Sequence, residues 1–390
     1  MPISAMNSYK GCGLPMSIDG LFPNLTEDNI KLLEEFGGLL KHVWPLKAKH
    51  RDHLKYDIRD MSRGLTSDRM QRRKEYMTDD KYLSPYLHYF LPWNLYRMSR
   101  LFSGLELDIP ENGEVADLGS GSLTAVLALW MSRPHLRERK LNFTCVDLAP
   151  KAMQTGLKLF KAMAGDNSPW RIKTVKGSFT EHLRNKADLI LAANAFNELD
   201  WSGRTTRGQA DVLSTHLINS TKETGRVLIV ETGMRLSGRI IAEMRAQMLQ
   251  KGFKPISPCP HSGDCPMPAL SQTSPWCHFN FSTKGVPSWL ESISKEASLE
   301  KDNVTLNFLY LSQKGAADWG AVRAISETFK IQGSWGQYAC SDHGLTLIDY
   351  APGTRTLFPG QAFAPTWPET PKTDLKSKAV ILPFKADKKK

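Results

Sequence analysis

A chain of 390 residues, 41% of them hydrophobic, can bury a sizeable core and has room for two or three structural units. Its 51 Lys and Arg outnumber 40 Asp and Glu, and the formal net charge of +11 points to a polyanionic partner, either nucleic acid or an acidic membrane surface. No segment approaches the roughly 18 uninterrupted apolar residues of a membrane span. Met1 to Gly20 lacks a basic n-region and an apolar h-region, and Lys10 is its only basic residue, beside Asp19. These exclusions predict a cytoplasmic protein with no membrane partner.

Residues 1–108 read as a helical N-terminal region. Leu32, Leu33, Phe36, Leu39 and Leu40 recur at helical spacing, and a second helical run is expected after an N-cap at Thr66 or Ser67. That run is basic, with Arg69, Arg72, Arg73 and Lys74, and reads either as a solvated face or as a nucleic-acid contact. Tyr82, Tyr86, Tyr89, Phe90, Trp93 and Tyr96 form an aromatic stripe expected to be core, because a helix must bury one face.

From Glu114 short strands alternate with helices. Val115–Leu118, Phe143–Val146, Ile172–Val175, Leu189–Ala192 and Val227–Val230 read as strands, with helices over Leu123–Met131, Lys151–Met163 and Leu236–Leu249. The rhythm predicts an α/β, Rossmann-type doubly wound sheet over residues 109–255. Residues 256–350 follow as a cysteine loop, a metal site and a β extension, with a strand over Leu306–Leu311 and a hairpin turn at His343-Gly344. The tail, residues 351–390, becomes rich in Pro, Thr and Lys from Pro365, ends in Lys388-Lys389-Lys390, and is expected to be disordered and basic.

The first strand of the α/β unit ends in Asp117-Leu118-Gly119-Ser120-Gly121, just before a helix. Glycines there let the backbone approach a ligand, and the helix N-terminus offers free N–H donors. An acidic residue directly before them would repel a pyrophosphate but can take the amino group of S-adenosylmethionine. Asp147, ending the second strand, can accept both ribose hydroxyls. Ser178 and Phe179, after the third, are placed to flank an adenine, and Asn194, after the fourth, faces the donor methyl. Two departures stand out: Leu123 occupies a position that often holds glycine, where its side chain is expected to crowd the ligand, and Asn194-Ala195-Phe196-Asn197 lacks the Asn-Pro-Pro-aromatic pattern of amine methylation. No cysteine sits where a base-attacking nucleophile is expected.

Cys259, Cys265 and Cys277 fall within 19 residues of a chain holding six cysteines, in a segment punctuated by Gly and Pro. Thiolates suit iron–sulfur clusters or zinc, either centre wants four ligands, and Cys340 is the best fourth donor. His261 and His278 read as zinc ligands, as hydrogen-bond donors to cluster sulfurs, or as packing residues. Cys145 in its apolar strand reads as core and Cys12 as part of a loose N-terminal segment.

Taken together, Glu231-Thr232-Gly233, Arg245, the Cys-Pro-His and Cys-Pro units and Trp276-Cys277-His278-Phe279 resemble the methyltransferase-like assembly factors of the small ribosomal subunit, known from mitochondria and bacteria. The resemblance runs from about Ser62 to Tyr350. It implies a class I S-adenosylmethionine methyltransferase-like fold that carries a 4Fe-4S cluster and binds small-subunit rRNA during assembly. By position it implies Cys259, Cys265, Cys277 and Cys340 as cluster ligands, and Asp117, Gly119, Gly121 and Asp147 as the cofactor site. The expectation is thus an rRNA-binding factor of ribosome assembly and translation. Its rivals are an active S-adenosylmethionine-dependent rRNA methyltransferase, with Asn194 or Glu198 orienting the target, and a zinc-stapled RNA-binding module without cofactor.

Overall fold

The computed structural model describes residues 17–66, 76–199, 205–268, 271, 274–314 and 320–384. Cys12, Ser67, the basic run Arg69 to Lys74 and the terminal lysines lie outside the described residues.

A short strand, β1 (Ser17–Asp19), precedes helix α1 (Glu27–Val43). Thr26 caps α1 by accepting from the Asn29 N–H, and Glu27 and Asp28 occupy the first turn, where the helix dipole favours negative charge. Helix α2 (Ala48–Thr66) follows. Thr66 is the last described residue of that helix, which buries Leu54, Ile58 and Met61, and the helical run expected after it lies outside the described residues.

Helix α3 (Asp80–Pro85) runs through a π-turn, Tyr86–Phe90, into α4 (Leu91–Gly104). Pro92 explains the wider turn. It has no N–H to give to His88, so the ladder slips by one and the Leu91 N–H bonds to the Tyr86 carbonyl instead. The aromatic stripe is core at Tyr89, Trp93 and Tyr96, each at most 2% exposed. Tyr82, Tyr86 and Phe90 are half-buried against it, and Tyr86 is treated below.

The α/β unit contains β2 (Gly113–Leu118), α5 (Thr124–Ser132), β3 (Leu141–Asp147), α6 (Pro150–Ala164), β4 (Trp170–Lys176), β5 (Ala187–Ala193), α7 (Thr206–Ser220), β6 (Thr221–Thr232), α8 (Arg235–Gln250) and β7 (Lys254–Ser257). After the cysteine loop come β8 (Phe279–Ser282), α9 (Ser288–Glu296) and β9 (Asn303–Ser312). The sheet order is β4-β3-β2-β5-β6-β9-β7, with β8 also on β9. The strands from β4 to β6 run parallel, and β9 enters antiparallel between β6 and β7. This is the class I S-adenosylmethionine methyltransferase fold. The chain order reverses between β2 and β5, and in such sheets ligands sit beyond the carboxyl ends of the strands at that point. One core cluster packs α4, α5 and α6 with the N-terminal helices on one face of the sheet, and a second packs α7 and α8 on the other.

A second sheet joins the two ends of the chain. It contains β10 (Val322–Ala324), β11 (Phe329–Ile331), β12 (Ser334–Ser341), β13 (Gly344–Tyr350), β14 (Ala362–Phe363) and β15 (Val380–Phe384), in the order β1-β14-β10-β12-β13-β15 with β11 on β12. The hairpin is present, but its two loop residues are Asp342 and His343, one position before the expected His343-Gly344, and Gly344 opens β13. The disordered tail is overturned over residues 351–384. Val380–Phe384 lies parallel to β13 and buries Leu382 and Phe384. Pro383 fits there because β15 is an edge strand, where a missing N–H costs no ladder bond.

Candidate functional site

The loop from β2 to α5 holds left-handed backbone at alternate residues: Gly119 at φ +75, Gly121 at φ +49 and Leu123 at φ +58. At Gly119 a Cβ would stand 2.6 Å from Ala195 Cβ, so glycine is needed both for the backbone hand and for the approach of the β5 end. Leu123 keeps the glycine-like turn at a cost of about 1–2 kcal/mol for a left-handed residue with a side chain. That side chain is fully buried in the core cluster and does not crowd the loop's ligand-facing side. Leu123→Gly is therefore expected to destabilise the protein: losing a buried leucine costs about 2–5 kcal/mol, more than the relieved strain returns. Urea unfolding measures this, and a more stable variant would contradict it.

Helix α6 crosses this loop closely through Gly156, where a Cβ would fall 2.3 Å from the Ser122 carbonyl oxygen. Gly156→Ala must push α6 off the loop, and an overpacked contact of this kind typically costs about 1–3 kcal/mol.

Asp117 ends β2 with 1% exposure, and neither carboxylate oxygen has a hydrogen-bond partner. Burial first, and Asp147 second, push its carboxyl up to about 8. A buried carboxylate without donors is costly, and a cationic amine is the partner that would satisfy it. The residues therefore fit an amino-acid-bearing nucleoside. Asp147, at the end of β3, accepts from the Gly121 N–H and the Ala149 N–H, both at 2.8 Å. Burial still raises its carboxyl above the ordinary value. It clamps the glycine loop to β3, and each oxygen retains a lone pair for a ribose hydroxyl.

The other expected positions divide. Ser178 is exposed and shares a hydrogen bond of 3.2 Å with Thr180. Phe179 turns inward instead of flanking an adenine, its ring 4.8 Å from Phe196 in the second core cluster. Asn194 sits at φ +55 at the end of β5, its N–H donating to the Val230 carbonyl at 2.7 Å. Glu231, fully buried at the end of β6, accepts from the Phe196 N–H at 2.7 Å and so fixes the same loop.

Tyr86 was legible only as core, yet its hydroxyl lies 3.2 Å from Thr124 Oγ1 at the start of α5. Burial pushes it up to about 12, with Glu198 and Asp147 among the neighbouring charges. The π-turn thus hangs an N-terminal side chain over the strand ends.

The four candidate cysteines come from the loop between β7 and β8 and from the second sheet. Cys259 follows β7, Cys265 and Cys277 lie in the loop before β8, and Cys340 is on β12. All four are free thiols. Burial raises Cys265 to about 11 and Cys277 and Cys340 well above their ordinary value; Cys259 adds to the shift of Cys265, Cys259 and Cys265 to that of Cys277, and all three to that of Cys340. The cysteines of one short loop segment and the distant Cys340 thus come within electrostatic reach of one another. Among the described residues no group of three or more His, Cys, Asp or Glu side chains is arranged to hold a metal ion. The donor chemistry nonetheless suits a thiolate-bound centre. Arg245 on α8 donates from Nε to Cys259 Sγ at 3.3 Å and from a terminal nitrogen to the His261 carbonyl at 2.8 Å. His261 Nε2 lies 3.3 Å from Cys340 Sγ. Such donors tune and orient thiolate ligands.

His278 takes the packing role. It stacks on Trp276, with centroids 4.7 Å apart, and its Nδ1 lies 3.2 Å from the Trp276 carbonyl. Trp276 donates to the Gly233 carbonyl at 3.0 Å and carries the Arg235 guanidinium 4.2 Å above its ring, anchoring the cysteine loop to the start of α8. Arg323, fully buried on β10, escaped sequence reasoning. It pairs in register with Cys340 and donates to the Pro258 carbonyl at 2.6 Å and the Gly360 carbonyl at 2.7 Å. Cys145 is core, as expected.

Three solved methyltransferase structures are similar in part. A TehB-like S-adenosylmethionine-dependent methyltransferase from Corynebacterium glutamicum is 13% identical, over 57% of this chain and 88% of that one, with a TM-score of 0.31. The mitomycin 7-O-methyltransferase MmcR is 14% identical over 55% and 64%, with a TM-score of 0.36. A putative class I methyltransferase from Listeria monocytogenes is 8% identical over 75% and 89%, with a TM-score of 0.34. No curated protein matches. The family model described as mitochondrial small ribosomal subunit Rsm22 matches residues 107–343, more than half of the chain and a span that takes in both sites. On that match the chain belongs to the mitochondrial small ribosomal subunit Rsm22 family.

Proposed function

We propose that this protein is an rRNA-binding assembly factor of the small ribosomal subunit, built on a methyltransferase-like domain and stapled by a 4Fe-4S cluster on Cys259, Cys265, Cys277 and Cys340. The observation that carries this reading is the family match over residues 107–343, which spans the nucleoside-type pocket and all four thiols. The net charge of +11 supplies the attraction to rRNA. Four thiolates would repel one another in a partly buried site, and a cationic iron core would relieve that repulsion, while Arg245 points an N–H at Cys259 and His261 places a ring nitrogen 3.3 Å from Cys340. The cluster then acts as a structural tie between the loop after β7 and the second sheet.

Asp117 and Asp147 would hold S-adenosylmethionine by its amino group and ribose. When bound, that cofactor supplies an electrophilic methyl group. Because Asp117 in the free protein titrates near 8 and only its ionised form attracts an ammonium group, affinity should rise as pH increases from 6 to 8. Calorimetry across that range checks the sign, and flat affinity would remove Asp117 from the role. Asn194 beside this pocket favours a second reading, an active rRNA methyltransferase. Methyl transfer to purified small subunits separates the two, since the assembly reading predicts association without turnover.

Association with small-subunit rRNA is expected to weaken steeply with salt, the logarithm of affinity falling by about 0.7–0.9 per neutralised phosphate for each tenfold rise in salt. Sedimentation with small subunits at several salt concentrations tests this, and salt-independent association or none would refute the rRNA reading. Cell fractionation tests the cytoplasmic expectation against the mitochondrial one carried by the family's description. Among the described residues no helix is long and apolar enough to cross a membrane.

A further inference from the structure

The positive charge of the chain is unevenly placed. Residues 47–74 hold ten Lys and Arg against four Asp, so a net six of the +11 falls within 28 residues. The structure describes this stretch as far as Thr66, and α2 makes up nearly all of the described part. Lys49, Arg51, Lys55, Arg59 and Arg63 lie on α2, outnumbering Asp52, Asp57 and Asp60.

The inner face of α2 is packed. Leu54, Ile58 and Met61 are buried in the core cluster that holds the N-terminal helices to the sheet. Arg59 fastens the helix to the end of α9: its Nε donates to the Ala297 carbonyl at 2.7 Å, and a terminal nitrogen donates to the Glu296 carbonyl at 3.0 Å and the Ser298 hydroxyl at 2.7 Å. The outer face is therefore presented on a fixed scaffold. Lys49, His53, Tyr56, Asp60 and Arg63 recur along it at steps of three and four, all exposed, over about 21 Å at 1.5 Å per residue.

Tyr56 is the unusual member. It is 50% exposed, with Lys55 Nζ 5.2 Å and the Arg59 guanidinium 5.7 Å from its ring centroid, and the His53 ring lies 6.2 Å away. A solvent-facing aromatic ring set among cations is how proteins hold single-stranded nucleic acid: the ring stacks on a base and the cations take phosphates. Asp60 restrains Arg63 little, because their exposed pair spans 3.7 Å. An acidic membrane is the other polyanion that the net charge admits. A helix that lies on a membrane must put its apolar face into the lipid, and in α2 that face is already buried in the protein. The observations favour RNA.

We propose that the outer face of α2 is a single-stranded RNA contact, in which Tyr56 stacks on an unpaired base while Lys49, Lys55 and Arg63 meet the flanking phosphates. This rests on the rRNA reading above and gives it a surface outside the residues that the family model matches. The test is fluorescence anisotropy on the full chain with a short labelled RNA of mixed sequence, either single-stranded or annealed to its complement. Wild type is compared with Tyr56→Ala, Tyr56→Phe and the double variant Lys49→Gln with Arg63→Gln.

Tyr56→Ala should weaken single-strand binding by about 5–140-fold, the 1–3 kcal/mol of a base–aromatic stack at 1.4 kcal/mol per tenfold. Duplex binding should change less than about twofold, since bases stacked within a duplex present no free face. Tyr56→Phe should stay within about threefold of wild type, because stacking uses the ring and not the hydroxyl. The double variant should flatten the salt dependence by about 0.7 per lost phosphate contact, and Tyr56→Ala should leave it unchanged. Unchanged single-strand affinity in Tyr56→Ala overturns the contact, and so does equal loss for single strand and duplex, or a Tyr56→Phe defect as deep as that of Tyr56→Ala. Vesicles of phosphatidylcholine and phosphatidylserine are the remaining probe. Vesicle binding that Tyr56→Ala abolishes, with RNA affinity untouched, would reassign the face to a membrane and overturn the proposal. Sedimentation with small subunits separates this proposal from the reading beneath it. If every variant sediments like wild type, the α2 contact falls and the rRNA reading stands; if wild type binds neither the RNA nor small subunits, both fall. Unfolding curves establish that the variants are compared as folded protein.

Discussion

Anaerobically prepared Cys277→Ser and Cys340→Ser proteins are expected to lose their iron, while Cys145→Ser keeps it. The distinction follows from position. Cys145 is fully buried on β3, and the charge that acts on it is Asp117, whereas Cys277 has Cys259 and Cys265 among its neighbours and Cys340 has all three other candidate ligands. If the four thiols bind one centre, its binding free energy is folding free energy for whatever it ties together. Here it ties the loop after β7 to β12, so the variants should also loosen the second sheet. Hydrogen exchange over residues 320–384 reads that loosening, and metal analysis reads the iron. Iron retained in Cys340→Ser would detach β12 from the site.

Arg323→Met should have the largest effect of any single change outside the cysteines. The guanidinium is fully buried, stands in register with Cys340, and satisfies the carbonyls of Pro258 and Gly360. Methionine fills much of the volume but donates nothing. Two buried acceptors left without donors, at about 1–3 kcal/mol each, give a loss of about 2–6 kcal/mol. Because Pro258 precedes the first cysteine, metal retention should fall as well. Denaturant unfolding measures the first effect and iron content the second; a change under about 1 kcal/mol would mean that the carbonyls find other donors.

The alternating strands and helices from Glu114 were legible because parallel strands buried on both faces read as short apolar runs, and each of the five expected strands falls inside an observed one. Helix α7 was not, since its core face needs only Ala210, Leu213 and Leu217 among Asp, Ser, Thr, His and Asn. Strand β15 was hidden by the Pro, Thr and Lys that precede it, although Leu382 and Phe384 alternate inward. At the sites, the spacing of three cysteines picked out the loop. The electrostatic coupling of Cys340 to them came only from the folded chain. Tyr86 and Arg323 were beyond any motif. Each acts across more than 35 residues of sequence, Tyr86 on Thr124 and Arg323 on Pro258, and no local periodicity reports such contacts.

The cluster is the element that joins the methyltransferase-like domain to the second sheet in this account, and direct quantitation of the wild-type protein tests it most plainly. Protein purified without oxygen should be brown, with broad absorption bleached by a strong reductant, and should contain about four irons and four acid-labile sulfides per chain. Colourless protein carrying one zinc, or none of either metal while folded with its second sheet protected, would contradict the account.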